Sequence, residues 1–232
     1  MVLRGVDLDV PDGSITVIIG RSGGGKSVFL KHLLGLLRPD RGEVVINGTD
    51  ITNLGPRALD EVREHYGVVF QGGALFDSLT CFDNVAFPLR EKTRLTRTEI
   101  AERVNKRLDQ VGLTGVGAKY PAEISGGMRK RVAIARALVT EPEIMFFDEP
   151  TTGLDPILVN TIHRLIQDLH RAFGFTAVMV SHEIPEIFTL ADTVAMLHEG
   201  RIVAVGPPAA IQASSNPIVQ QFIHGEPELR GA

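Results

Sequence analysis

The chain has a single cysteine, Cys81, so no intramolecular disulfide can form and nothing in its cysteine usage calls for an oxidising compartment. The cytosol is the expected setting. Long apolar runs are missing too: stretches such as 15–19 and 176–180 are far shorter than the roughly 20 residues a membrane-spanning helix requires. With no basic-then-apolar leader either, any association with a membrane is expected to pass through a partner. Basic excess is also lacking. A net charge of −4, a pI near 6.0 and one basic cluster, Arg129, Lys130 and Arg131, argue against nucleic acid as a partner. No internal repeat is visible. At 232 residues and 44% hydrophobic content, the chain is predicted to bury one core as a single domain, 1–232, with a lobe inserted into it.

What the chain does have is alternation of strand and helix signals. Residues 2–10 alternate like a strand, Pro11 to Ser14 make a turn, and Ile15–Ile19 is an apolar run of the buried-strand kind that ends at Gly20. Helical spacing over 27–37 closes with Pro39 and Gly42, residues 43–46 read as strand with Asn47-Gly48 as a hairpin turn, and 66–70 is another short strand. From about Thr80 to Val139 the patterns are helical. Thr96 with Glu99 forms a capping box for a helix to about Val111, a glycine-rich loop follows, and 126–139 is helical again. Alternation then resumes with a strand at 144–147, a helix over Pro156–Phe173, a strand at 175–180 and a helix around 184–190. A hairpin of 194–197 with 201–205 turning at Glu199-Gly200 follows, and short C-terminal helices end the chain. The expected fold is α/β, with residues 1–71 and 140–232 as core and 72–139 as an inserted helical lobe. Ligands are expected at the carboxyl ends of the strands.

The chemistry-bearing residues fall at those ends. GRSGGGKS at 20–27 fits G-x-x-x-x-G-K-[ST] between a predicted strand and a predicted helix. Glycines turn backbone N–H groups onto phosphate oxygens, Lys26 reaches the β- and γ-phosphates, and Ser27 offers a hydroxyl to Mg²⁺. The run 144–147 leads straight into Asp148 and Glu149. Charged residues there are often just a strand's solvated end. Beside a phosphate loop, Asp148 is expected to hold Mg²⁺ and Glu149 to orient or deprotonate the attacking water. His182, after the 176–180 run, is placed to hydrogen-bond the γ-phosphate, and Gln71 to touch Mg²⁺ or water. Taken alone, each of these two is more often structural.

ISGGMRKR at 124–131 poses a second question, because Ser125 with two glycines at a helix start is itself an anion site. A phosphate loop covers only one face of a triphosphate. If two copies pair about a two-fold axis, each Ser125-Gly126-Gly127 closes over the γ-phosphate held by its partner. Charge-assisted hydrogen bonds of roughly 1.5–3 kcal/mol each then nearly offset an association cost of roughly 4–15 kcal/mol, which predicts a dimer that closes on ATP and opens after hydrolysis.

In this order the motifs resemble those of the ATP-binding-cassette (ABC) ATPases over essentially the whole chain. GRSGGGKS is similar to Walker A, Gln71 to the Q-loop glutamine, ISGGM to the signature, IMFFDE to Walker B with its glutamate, Gly153-Leu154-Asp155 to the D-loop and His182 to the switch histidine. The resemblance implies an ABC-type P-loop NTPase core, a mostly parallel sheet with an antiparallel β part, and an inserted α-helical subdomain. It implies that Gly20, Arg21, Ser22, Gly23, Gly24, Gly25, Lys26, Ser27 and Val28 hold ATP, joined by Ser125, Gly126, Gly127 and Asp155. Mg²⁺ would be held by Ser27, Gln71 and Asp148, and catalysis carried by Glu149, His182, Gln71 and Lys26.

Within that family, FQGGALFDSLT at 70–80, DNVAFPLREKT at 83–93 and Met128 resemble the ATPase of maintenance-of-lipid-asymmetry (Mla) and mammalian-cell-entry (MCE) phospholipid transporters. The implied partners are a second copy of the chain, an integral-membrane permease, an MCE substrate-binding protein and, in some systems, a small STAS-domain subunit. The implied location is peripheral, on the cytoplasmic face of the inner membrane. Gly73, Ala74, Leu75 and Phe76 are expected to line a groove for the permease, the alternative being that Leu75 and Phe76 pack the lobe's core. Ile124 and Met128 depart from the usual Leu and Gln of the signature; since Ser125 and main-chain amides hold the phosphate, function is expected to survive. The family also places an adenine-stacking aromatic upstream of the point where this sequence starts, MVLRGV, so the native chain is expected to begin earlier. An ATPase of an amino-acid or other small-solute importer is the nearer alternative, separated only by the GALF stretch and Met128. A non-transport ABC ATPase commonly carries a long coiled-coil insertion or two fused cassettes, neither of which is in this sequence.

Overall fold

A computed structural model describes residues 2–226. In chain order the elements are β1 (Ile15–Ile19), α1 (Lys26–Leu33), β2 (Val45–Ile46), β3 (Thr49–Asp50), α2 (Pro56–Arg63), β4 (Tyr66–Val69), α3 (Cys81–Lys92), α4 (Arg97–Gln110), α5 (Gly126–Leu138), β5 (Ile144–Asp148), α6 (Pro156–Phe173), β6 (Thr176–Ser181), β7 (Thr193–His198), β8 (Arg201–Gly206), α7 (Pro208–Gln212) and α8 (Pro217–Ile223). They fall into two compact units. One joins the residues up to Leu59 with those from Val178 onward; the other runs from Asp60 to Ala177. Among the described residues, no helix is long and apolar enough to cross a membrane.

In the first unit β1 is buried along its whole length and pairs in parallel with β7, Thr16 opposite Thr193 and Ile19 opposite Met196. Asp192 ties the start of that pair: the Ile15 amide donates to its carboxylate at 2.8 Å, and its own amide donates to the Ile15 carbonyl at 2.9 Å. β7 and β8 form the antiparallel part. Their turn places Glu199 and Gly200 at φ 45° and 76°, the left-handed pair that a two-residue hairpin demands. Asn47 and Gly48, at φ 48° and 76°, do the same for β2 and β3.

In the second unit β4 lies parallel to β5, Tyr66 opposite Ile144 and Val69 opposite Phe147. Tyr66 stands edge-on to Phe146 with centroids 5.0 Å apart, and burial pushes its phenol pKa up to about 12. The helical subdomain is α3, α4 and α5. The Thr96–Glu99 capping box that opens α4 is present as expected, the Glu99 amide donating to the Thr96 hydroxyl at 3.3 Å and the Thr96 amide to the Glu99 carboxylate at 2.7 Å. Arg107 on α4 stacks on Phe173 at 4.4 Å and reaches Glu141 at 3.1 Å, which fastens the subdomain helix to the segment leading into β5.

The structure differs from expectation in four places. The segment 2–10 forms no strand: its burial alternates, but its one main-chain bond of note runs from the Arg4 amide to the Gly200 carbonyl at 2.7 Å. α1 stops at Leu33 instead of running to residue 37, because Gly35 turns left-handed at φ 65°. The helix expected around 184–190 is a single 3₁₀ turn, Glu186–Thr189, after Pro185. α2 was not anticipated. It is amphipathic, with Leu59 and Val62 on one face, but that face is only half-buried and none of its residues is fully buried.

β4 depends on Gly67. A β-carbon there would meet the Met145 sulfur at 2.3 Å and the Ala137 carbonyl oxygen at 2.6 Å. The carbonyl belongs to α5 and cannot swing aside. Gly67→Ala is therefore expected to destabilise the protein by about 2 kcal/mol and lower Tm by about 4–8 °C, read by thermal unfolding; an unchanged Tm would contradict the packing described.

Candidate nucleotide-binding and catalytic site

In the first unit, β1 hands the chain to a tight loop at Gly20. The approach there is so close that a β-carbon would lie 2.3 Å from the Leu197 carbonyl oxygen, so no larger residue fits. Gly23 and Gly25 take φ 78° and 99°, and Gly25 is the N-cap of α1. No side chain caps that terminus, and a helix N-terminus of this kind favours an anion. Lys26, 4% exposed, folds back and donates from Nζ to the carbonyls of Gly20 at 2.8 Å and Arg21 at 3.0 Å. The Gly24 amide closes the loop onto Arg21 O at 3.1 Å. Ser22 and Ser27 are exposed and Val28 is half-buried. His182, also exposed, follows β6 directly; the next amide, of Glu183, donates to the Ser181 hydroxyl at 3.1 Å.

In the second unit, β5 delivers Asp148 and Glu149, both half-buried, at its carboxyl end. Glu149 has φ 47°, outside the range a residue with a β-carbon prefers, and strain of this kind collects at functional sites. The structure brings Gln71 to it: the Gln71 amide donates to Glu149 Oε2 at 3.3 Å. Gln71 in turn is held by its carbonyl, which accepts from the buried Lys130 ammonium of α5. Arg136, a turn and a half further along α5, donates to Gly73 O at 2.8 Å and Ala74 O at 2.7 Å, and burial pulls its guanidinium below the usual pKa. Ser125 is exposed and caps α5, its hydroxyl accepting from the Met128 amide at 3.3 Å. Gly126 and Gly127 face Leu154 and Leu158, so the signature turn packs on the start of α6. Asp155 caps α6 with one carboxylate oxygen, 3.0 Å from the amides of both Ile157 and Leu158.

The 73–76 stretch is divided. Gly73 is buried, Leu75 half-buried, and Phe76 is 45% exposed, stacked at 5.0 Å against Phe87, itself 38% exposed. Phe76 is thus not a core residue. Fully buried Asn84 of α3 holds it in place by accepting from the Phe76 amide at 2.8 Å and donating to its carbonyl at 3.0 Å. Sequence reasoning passed over Asn84, Lys130 and Arg136, whose roles show only as distances. It also passed over Thr152, although a hydroxyl three residues after a carboxylate in a turn is a recurring local pairing.

Among the described residues, no three His, Cys, Asp or Glu side chains cluster into an all-protein cage. The hydroxyl of Ser27 in the first unit and, in the second, the amide oxygen of Gln71 and the carboxylate of Asp148 are each hard oxygen donors of the type Mg²⁺ takes.

A glycine-curled loop opening a helix, with a strand-end carboxylate pair and a helical subdomain, defines a P-loop nucleotide-binding α/β protein. The family profile described as ABC transporter matches residues 3–152, and the chain belongs to that family. It is 46% identical over 95% of its length to the probable ribonucleotide transport ATP-binding protein mkl of Mycobacterium leprae, and spans 63% of that protein. It is 42% identical over 97% of its length to the intermembrane phospholipid transport system ATP-binding protein MlaF of Escherichia coli K12, spanning 83% of that chain, and similarly to MlaF of Haemophilus influenzae, spanning 86%. Among solved structures, the ATP-binding cassette MJ0796, described as a dimeric post-hydrolysis state bound to ADP and Pi, has a TM-score of 0.81 at 32% identity, covering 89% of this chain and 90% of that one. CbiO1 of Clostridium perfringens, part of the ABC transporter complex cbiONQ, has a TM-score of 0.85 at 31% identity, covering 95% and 87%. The fold is thus the ABC-type α/β core, mostly parallel with an antiparallel part, and its helical subdomain.

Proposed function

We propose that the chain is the ATP-hydrolysing subunit of an ABC transporter that moves phospholipid between membranes. The observation that carries the substrate is the likeness to the MlaF proteins, which runs over 97% of this chain and leaves little of theirs unmatched. The mycobacterial relatives are more similar per residue but carry a ribonucleotide name and are matched over only 63% and 61% of their length. Ribonucleotide transport is accordingly the second reading.

The residues suit the chemistry of ATP hydrolysis to ADP and phosphate. Lys26 already sits in the curl of its loop, so γ- and β-phosphate oxygens need only exchange with loop carbonyls as acceptors of its protons. The α1 amides and Ser22 complete the phosphate cradle. Glu149 accepts the proton of the attacking water, which Gln71, at hydrogen-bond distance from that carboxylate, helps to orient. His182 donates to the γ-phosphate. Ser27, Asp148 and Gln71 would hold Mg²⁺, which would supply Lewis-acid stabilisation of the phosphate charge. Ser125, Gly126, Gly127 and Asp155 act on the nucleotide of a second copy; the dimeric description of MJ0796 supports that arrangement. The permease docks on the exposed Phe76–Phe87 pair, an MCE protein supplies the lipid, and a STAS-domain subunit joins in some systems. The subunit works peripherally on the cytoplasmic face of the membrane.

Glu149→Gln is expected to retain ATP binding and slow hydrolysis roughly 10²- to 10⁴-fold, measured as phosphate release; turnover at the parental rate would remove Glu149 as base. In that background Ser125→Arg should abolish ATP-dependent dimerisation by light scattering while the monomer still binds ATP. An undiminished dimer would end the case for a phosphate site completed by the partner copy.

Substrate is tested with the reconstituted complex in vesicles, following labelled phospholipid and labelled ribonucleotide side by side. Phospholipid should move and ribonucleotide should not; the reverse would establish the second reading. Phe76→Asp should keep ATP binding but lose permease association and lipid transfer. Transfer at the parental rate by that variant would refute the docking role of the aromatic pair.

A further inference from the structure

Glu149 is held by a residue that none of the sequence motifs singles out. The turn after β5 is closed twice by Thr152. Its amide donates to the Glu149 carbonyl at 3.3 Å, and its hydroxyl donates to Glu149 Oε2 at 3.1 Å. The same oxygen accepts from the Gln71 amide at 3.3 Å. These two donors differ in kind. Gln71 belongs to the loop that continues into the exposed aromatic pair, so its hold on the carboxylate follows whatever that loop does. Thr152 belongs to the turn of Glu149 itself, flanked by the fully buried Thr151 and by Asp155, which caps α6. Its hold is set within the turn that joins β5 to α6.

A glutamate side chain has three rotatable bonds, and a general base that samples many rotamers spends little time where it can take a proton. Here the left-handed backbone at φ 47° aims the side chain, and the Thr152 hydroxyl fixes its end. We infer that Thr152 is a positioning residue for hydrolysis: its hydroxyl keeps the Glu149 carboxylate oriented for proton acceptance whether or not Gln71 remains in contact. This rests on the reading of Glu149 as the base. Thr152 does not itself touch the phosphate or the water, and no bond changes at its oxygen.

Thr152→Val removes the hydroxyl at nearly constant shape. In the full-length protein, kcat for ATP should fall roughly ten-fold or more, while KM and the ATP dissociation constant stay within about two-fold of the parental values, because the hydroxyl serves only the reacting carboxylate. Thr152→Ser should restore kcat to within about three-fold, since it returns the donor without the methyl group. Added to Glu149→Gln, Thr152→Val should cost less than about two-fold further, because the group it positions is already disabled. Parental kcat in Thr152→Val, a KM rise that accounts for the loss, a serine variant as slow as the valine one, or a full ten-fold penalty on top of Glu149→Gln would each overturn the inference. If Val at 152 fails to give a cooperative thermal transition, Thr152→Ala compared with Thr152→Ser decides the same question by the same criteria. Parental turnover in Glu149→Gln alone would instead remove the base assignment, whatever Thr152 does, so the two failures are told apart.

Discussion

A cation taken out of water costs several kcal/mol unless it is given acceptors, and beside its working loops this protein buries two cations, Lys26 and Lys130, and half-buries a third, Arg136. Lys26, Lys130 and Arg136 are each met by main-chain carbonyls: those of Gly20 and Arg21, of Gln71, and of Gly73 and Ala74. The requirement works in both directions. A loop whose carbonyls leave strands a buried charge, so the phosphate loop and the 71–74 segment are shaped by lysine and arginine as much as by their own glycines. In the proposed mechanism Lys26 turns the same need to use, because phosphate oxygens satisfy an ammonium better than carbonyls do.

The second unit arranges its polar contacts as a continuous run from an apolar surface to a carboxylate. Phe76 is pinned by Asn84, the next residues upstream by Arg136 and Lys130, and Gln71 then reaches Glu149. Such a path gives a physical basis for linking hydrolysis to a docked permease, since both would bias one set of hydrogen bonds.

Where the sequence was informative, one local rule governed the outcome. The two left-handed pairs Asn47-Gly48 and Glu199-Gly200, the Thr96–Glu99 box and the amphipathic 156–173 stretch all formed as read. Misreadings came where two causes give one pattern. Alternation over 2–10 records which side chains lie against the protein, and that requires no ladder; α2 is amphipathic, but its eight residues carry too short a pattern to stand out. The glycine loop and the strand-end carboxylates were legible because their chemistry is written in residue type. Thr152, Asn84 and the α5 cations were not, since each acts through a partner chosen by the fold: Asn84 and Thr152 look like ordinary polar residues until the distances to Phe76 and Glu149 are known.

Cys81 begins α3 with no exposed surface, and burial raises its thiol pKa, which leaves it both shielded and unreactive as a nucleophile. Every other position is free of sulfhydryl chemistry. Residues 1–232 are therefore already a clean background for attaching a maleimide dye or a nitroxide at a chosen surface cysteine, and distances between two such probes can be followed through a turnover cycle.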